Sequence, residues 1–159
     1  MGTGQSGSLG KVAVVGTGAI GGFYGGFLAR SGQEVHFLFR SDYEAVLKTG
    51  LHVSTASEPR DTFQVSPLLA YRDPREIGIC DWVIVATKST ANSTLVPTLS
   101  ALVDSRTTLL TLQNGMGNVE CLAESFGGGR EIVAGLCFTC INRTSPGVVE
   151  SFFPGYVQF

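Results

Sequence analysis

Charge is what this chain has least of. Only 15% of its 159 residues are Asp, Glu, Lys or Arg, 13 acidic against 11 basic, for a net charge of −2. That balance leaves no basic field able to hold a nucleic-acid backbone or an anionic bilayer. Any phosphate bound here must be held by local dipoles and a few placed cations. Histidine is scarcer still, with His36 and His52 alone, and the four cysteines (Cys80, Cys121, Cys137, Cys140) are too sparse for a disulfide framework. They do not compose a four-ligand zinc site, so no metal is expected. Cys137-Phe-Thr-Cys140 has CxxC spacing, but it falls in a strand-like run rather than at a helix N-terminus. Buried strand cysteines are the expectation there, and a reducing cytoplasm the expected setting.

A charged leader and a clean apolar span are missing too. Residues 1–10, MGTGQSGSLG, carry no charge and so lack the basic start of a signal peptide. They read as a disordered leader or a cloning scar. From Val12 to Ala29 the chain is uncharged, yet this run holds Gly16, Gly18, Gly21, Gly22, Gly25 and Gly26. Gly21 to Gly25 matches the GxxxG packing motif of membrane helices. The run nevertheless divides into two periodicities, which one membrane helix does not explain. No membrane association is expected.

What is present is an alternation of strand and helix patterns. Lys11–Gly16 is a β-branched run stopped by glycine, as in a strand buried on both faces. Ile20, Phe23, Tyr24, Phe27 and Leu28 then fall at helical spacing over Ala19–Ser31, and Gly32 ends that helix. Glu34–Phe39 reads as a second strand, and Ser41-Asp-Tyr-Glu44 as a capping box opening a short helix that ends near Gly50. The box makes Asp42 a first-turn residue stabilised by the helix dipole. Residues 51–71 contain two or three short strands (LHVST, TFQV, LLAYR). Asp81–Ala86 is another buried strand, and Ser89–Val103 is helical, with Pro97 marking a break or a fresh first turn. Thr107–Leu112 is a strand and Asn118–Phe126 a helix. Glu131–Thr144 and Gly147–Phe153 form a strand pair joined at Ser145-Pro-Gly, with a partial strand over Tyr156–Phe159. The fold class is therefore α/β: a Rossmann-type, doubly wound, mainly parallel sheet with an antiparallel pair near the C-terminus. One domain is expected over residues 11–159, and its final strand looks cut in mid-element.

Gly16-Thr17-Gly18-Ala19-Ile20-Gly21 has the spacing GxGxxG directly between a strand and a helix. Gly16 makes the tight turn, Gly18 lets backbone approach a pyrophosphate, and Gly21 lets helix pack on strand. The helix N-terminus then offers unpaired N–H groups and about half a positive charge. Gly22, Gly25 and Gly26 are assigned to helix packing. The second strand ends Phe37-Leu-Phe-Arg40, with no acid to select a free ribose 2′-hydroxyl. Arg40 instead places a permanently charged planar fork where the 2′-phosphate of NADP lies. Hydrogen bonds to a charged partner contribute roughly 1.5–3 kcal/mol, so Arg40 alone is expected to favour NADP by about 10- to 100-fold, the alternative being a solvated surface arginine.

Lys11 to Arg40, Val85-Ala-Thr-Lys88-Ser, Leu112-Gln-Asn114-Gly-Met-Gly117 and the Asn142-Arg…Pro146-Gly147 turn occur in an order that resembles the N-terminal domain of ketopantoate reductases (2-dehydropantoate 2-reductases). The resemblance spans residues 11–159. It implies NADPH-dependent reduction of a 2-oxo acid, ketopantoate, to the 2-hydroxy acid pantoate, on the route to pantothenate and coenzyme A in the cytoplasm. It also implies that Asn114 lies near the nicotinamide ribose and substrate, with Lys88 on the same side of the cleft. Asn114 equally suits a helix cap. In that family the principal catalytic lysine and a substrate-orienting glutamate come from a C-terminal helical domain, which this chain does not contain, so the chain alone is expected to be inactive. A homodimer is the expected assembly of the intact enzyme. The Leu136–Arg143 segment departs from the Thr-rich version in familiar members, which leaves the exact 2-oxo acid open. The alternatives are a non-catalytic NADP-sensing module and another two-domain NAD(P)-dependent hydroxy-acid dehydrogenase.

Overall fold

The computed structural model describes residues 7–56, 60–127 and 129–159. In chain order, β1 (Lys11–Val15), α1 (Ala19–Arg30) and β2 (Glu34–Leu38) are followed by α2 (Tyr43–Thr49), β3 (His52–Thr55) and β4 (Asp61–Gln64). Next come β5 (Leu69–Tyr71), α3 (Pro74–Ile77) and β6 (Trp82–Val85). A 3-10 turn (Ser89–Ala91) leads into α4 (Asn92–Ser100), β7 (Thr108–Thr111) and α5 (Asn118–Phe126). The chain closes with β8 (Ile132–Ala134), β9 (Leu136–Ser145) and β10 (Val148–Gln158).

Six strands pair in parallel in the order β5-β2-β1-β6-β7-β8, which is the doubly wound arrangement with its switch point between β1 and β6. Side-chain alternation divides the core into two layers. Val12, Val14, Phe37 and Ile84 face α1, whereas Ala13, Val15, Leu38, Val83 and Val85 face Leu95 and Leu99 of α4 and Leu122 of α5. The Rossmann-type expectation holds.

A second sheet, in the order β4-β3-β10-β9, covers the far side of α1. α1 is thus clamped between two sheets, and its glycines are where it touches them. A Cβ on Gly25 would lie 2.7 Å from Phe37 and 2.9 Å from Val14 of the parallel sheet. One on Gly22 would lie 2.9 Å from Val149, and one on Gly26 2.8 Å from Val53, both in the second sheet. Each glycine weakens an isolated helix by about 1 kcal/mol relative to alanine. Here closeness of approach outweighs propensity.

Several local expectations need correction. Glu131–Thr144 is not one strand: it divides at Gly135 into β8, which joins the parallel sheet, and β9, which joins the second. Gly135 donates its N–H to the Thr111 carbonyl at 2.9 Å, and a side chain there would strike Leu112. Pro97 neither breaks nor starts α4 but sits inside it, because Leu95 and Leu99 bury against the sheet and packing overrides propensity. Cys80 is buried, but Cys121 and Cys137 are half-buried and Cys140 is exposed; none is in a disulfide. Residues 137 and 140 are an odd number apart on one strand and so face opposite sides. The Gly147–Phe153 and Tyr156–Phe159 strands are one irregular strand, β10. As for the expected leader, residues 1–6 lie outside the described residues, while Leu9 N–H donates to Gln33 Oε1 at 2.8 Å.

The capping box is absent as well. Helix α2 starts at Tyr43 with Asp42 as N-cap, and no side chain caps it. Asp42 is buried and turns away: Arg143 Nη1 donates to its two carboxylate oxygens at 2.7 and 2.6 Å. The Gly147 N–H adds a contact at 3.3 Å and the Ser41 hydroxyl one at 2.8 Å. The carboxylate pins the β9–β10 turn to the end of β2. An apolar groove of about 450 Å³, lined by Tyr24, Phe27, Trp82, Ile84, Leu110 and Leu112 among others, remains between α1 and the β6–β7 side of the sheet.

Two expected outcomes follow from this packing. Gly25→Ala, which would stabilise an exposed helix by about 1 kcal/mol, should here destabilise by about 1–3 kcal/mol through overpacking against Phe37 and Val14; a higher urea midpoint would contradict it. Burial raises the Asp42 pKa, but the hydrogen bonds from Ser41 and Arg143, the Arg143 charge and the Gly147 N–H together hold it below its ordinary value. A depressed carboxylate contributes stability above its unfolded pKa, about 3.9, and loses it as pH falls through the folded value. Asp42→Ala should therefore destabilise by about 2 kcal/mol at pH 7, with the gap to the parent narrowing in melts below about pH 4.

Candidate functional site

Strand register lines up Tyr71, Leu38, Val15, Val85, Thr111 and Ala134 as one row at the carboxyl edge of the parallel sheet. Counting outward from that row locates the residues singled out from the sequence. Gly16 follows β1 directly, Arg40 is the second residue after β2, Lys88 the third after β6 and Asn114 the third after β7. The topology thus brings all of them to one edge, on both sides of the switch point, where open α/β sheets bind ligands.

The glycine loop is half-exposed from Gly16 to Ile20 rather than sealed under other elements. Gly16 adopts φ +96°, a conformation that side-chain-bearing residues resist, and a Cβ there would meet the Thr87 backbone nitrogen at 2.5 Å. Gly18 has open space around it, and a Cβ on Gly21 would run into the Gly16 carbonyl oxygen. Turn and helix start are therefore one packed unit with an open side at Gly18. Thr17 Oγ1 donates to the Leu38 carbonyl at 3.0 Å, tying the loop to the end of β2. Ile20 packs into the core, so Ala19 and Ile20 present backbone to the crevice. No side chain caps α1 and no acid sits in its first turn, which leaves its leading N–H groups and dipole available.

At the neighbouring corner Arg40 is exposed and, among the described residues, makes no hydrogen bond or ion pair. The nearby carboxylate, Asp42, is committed to Arg143. No acid occupies the end of β2, as the sequence indicates. Lys88 and Asn114 are also exposed. Asn114 does not cap α5: the N-cap is Gly117, and no side chain caps that helix. Instead Asn118 reaches back, its Nδ2 donating to the Asn114 carbonyl at 3.3 Å and the Gly115 carbonyl at 3.1 Å.

Sequence reasoning missed the amide network beneath these two loops. Buried Gln113 donates through Nε2 to Thr87 Oγ1 at 3.0 Å and Asn92 Oδ1 at 2.7 Å. Asn92 Nδ2 donates in turn to Asn118 Oδ1 at 2.9 Å. Thr111 Oγ1 donates to Gln113 Oε1 at 3.2 Å. The segment carrying Lys88 and the segment carrying Asn114 are thereby linked by neutral hydrogen bonds, with no charge placed beneath the crevice. The available signal was the pair Thr87 and Gln113, each the second residue beyond an apolar strand, followed by Asn92 and Asn118, each the seventh, where buried polar groups require partners. No cluster of three or more metal-ligating side chains occurs among the described residues. The apolar groove beside α1 is lined by none of the glycine-loop residues, nor by Arg40, Lys88 or Asn114.

Comparison with known proteins agrees with this fold. The family described as ketopantoate reductase PanE/ApbA matches residues 12–159. A 2-dehydropantoate 2-reductase from Nostoc sp. is 40% identical over 148 residues, covering 92% of this chain and 45% of the relative. The crystal structure of 2-dehydropantoate 2-reductase from Geobacter metallireducens superposes with a TM-score of 0.86 at 44% identity, covering 92% of this chain and 48% of that one. A D-mandelate dehydrogenase solved with NADH and anilino(oxo)acetate reaches a TM-score of 0.76 over 92% of this chain and 47% of its own, at 24% identity, a likeness of fold alone. The chain spans about half the length of the relatives it matches. With the Rossmann sheet, the glycine loop at its switch point and a family match from β1 to the last residue, the chain belongs to the ketopantoate reductase PanE/ApbA family of oxidoreductases.

Proposed function

We propose that the chain is the cofactor-binding half of a 2-oxo acid reductase that uses NADPH to convert ketopantoate to pantoate in cytoplasmic pantothenate and coenzyme A synthesis. The observation that carries this reading is the single row of strand ends that gathers the glycine loop, Arg40, Lys88 and Asn114 on one edge. A diphosphate fits the open side at Gly18, against the leading amides of Ala19, Ile20 and Gly21. Arg40 stands just beyond β2, exposed and with its guanidinium uncommitted among the described residues, which suits a 2′-phosphate, and the strand end offers a free 2′-hydroxyl no acid as acceptor. When bound, the dinucleotide supplies hydride to the ketone carbon.

The other roles belong to the chain itself. Lys88 holds a ribose hydroxyl or neutralises the substrate carboxylate; it is exposed and, among the described residues, in no ion pair. Asn114 orients nicotinamide ribose and substrate by hydrogen bonds, on a loop braced from below by Asn118. The proton for the product alkoxide comes from outside these residues: the resemblance assigns it to a lysine in the remaining half of the relatives. Among the described residues no helix is long and apolar enough to cross a membrane, consistent with a small, polar substrate taken from solution.

Arg40→Glu should weaken NADPH binding by about 10- to 100-fold, the equivalent of losing one charged hydrogen-bond set, while NADH changes little. Fluorescence titration with the two cofactors checks this, and equal losses would remove the 2′-phosphate assignment. The chain of residues 1–159 should bind NADPH yet show no ketopantoate-dependent NADPH oxidation. Turnover at an enzyme-like rate would show that a proton donor lies within it.

A further inference from the structure

A second arginine stands next to Arg40. Leu38 pairs with Tyr71, and Phe39 N–H donates to the Tyr71 carbonyl at 2.8 Å, so the chain leaves β2 and β5 side by side. Arg72, the first residue beyond β5, therefore lies one strand spacing, about 4.8 Å, from the Phe39–Arg40 backbone. Its guanidinium rests 5.3 Å from the centroid of the Tyr43 ring and pairs with Glu44 Oε1 at 3.5 Å. That ion pair is long compared with the roughly 2.7–2.9 Å of a charge-assisted hydrogen bond. Both its side chains are more than half exposed, so it holds Arg72 weakly.

The other carboxylates of this corner are spoken for. Asp42 is bound by Arg143 and Ser41, and Asp73 by the side chain and backbone of Arg75. Among the described residues Glu44 alone pairs with Arg72. Stacking on Tyr43 uses one face of the guanidinium and leaves its edge donors for an anion. In a chain with a net charge of −2, two arginines stand on adjacent strand ends, one just beyond β2 and one just beyond β5.

We infer that Arg72 is a second cation of the 2′-phosphate locus, leaving Glu44 for the phosphate when the cofactor binds, and so a specificity-determining residue. The inference rests on the NADPH reading of Arg40. Glu44 then acts as a competitor, holding Arg72 near the locus in the free protein and opposing its transfer to the phosphate.

The test is calorimetric titration of the chain with NADPH, NADH and adenosine 2′,5′-bisphosphate, on the parent and on Arg40→Glu, Arg72→Gln, Arg72→Lys and Glu44→Gln, with a thermal melt for each. Arg72→Gln should weaken NADPH and the bisphosphate by about three- to tenfold and leave NADH within about twofold. Arg72→Lys should recover part of that loss, and Glu44→Gln should tighten NADPH by about two- to threefold. Unchanged NADPH affinity in Arg72→Gln, with affinity lost in Arg40→Glu, would overturn the role of Arg72 while leaving that of Arg40. Equal weakening of NADPH and NADH in Arg72→Gln would overturn it too, since Arg72 would then serve the adenosine or the fold. A parent protein without preference for NADPH would defeat the Arg40 reading and this inference together. Should Arg72→Gln fail to fold, Glu44→Gln decides: unchanged or weaker NADPH binding rejects the exchange.

Discussion

Helix α1 touches backbone-close on two sheets at once, and the rest of the molecule is arranged around that clamp. Gly25 approaches Phe37 and Val14 on one side, and Gly22 and Gly26 approach Val149 and Val53 on the other. Because the helix cannot move away from either sheet without opening a void, its N-terminus is fixed at the switch point between β1 and β6. Gly21 extends the same constraint into the loop, since it packs against the Gly16 carbonyl. Such rigidity is what the amides of a helix start require if they are to attract an anion, because they do so only where they stay aligned.

The second sheet has a further consequence. Asp42, beside Arg40, is held by Arg143 and by the backbone of Gly147, both at the β9–β10 turn. The sheet that clamps α1 therefore also braces the loop after β2, and the carboxylate there is paired within the protein. Acids close to Arg40 and Arg72 are paired, weakly placed or buried, so the positive groups outside the strand ends are not cancelled where they matter.

On the other flank the crevice floor is built from neutral amides. Gln113, Asn92, Asn118 and Thr87 satisfy one another and the carbonyls of the Asn114 loop. A fully paired neutral network fixes loop positions without a buried charge, whose desolvation would be far more costly. Half of the relatives' length lies beyond this portion of the family fold. Lys88 and Asn114 are exposed above this network.

The sequence by itself determined the alternation of strand and helix, the glycine loop, the missing acid after β2 and the order of Arg40, Lys88 and Asn114. Each of these is written in a few neighbouring residues, as a period of side chains or a steric requirement on one backbone turn. Tertiary structure alone decided the division of the 131–144 run at Gly135, the second sheet, and which α1 glycine meets which sheet. It also decided that Asp42 abandons a local cap for Arg143, 101 residues away, and that Gln113, Asn92 and Asn118 share one network. These contacts join segments far apart along the chain, so local periodicity carries no trace of them. A polar residue's partner is settled by whichever group folding brings within hydrogen-bond reach.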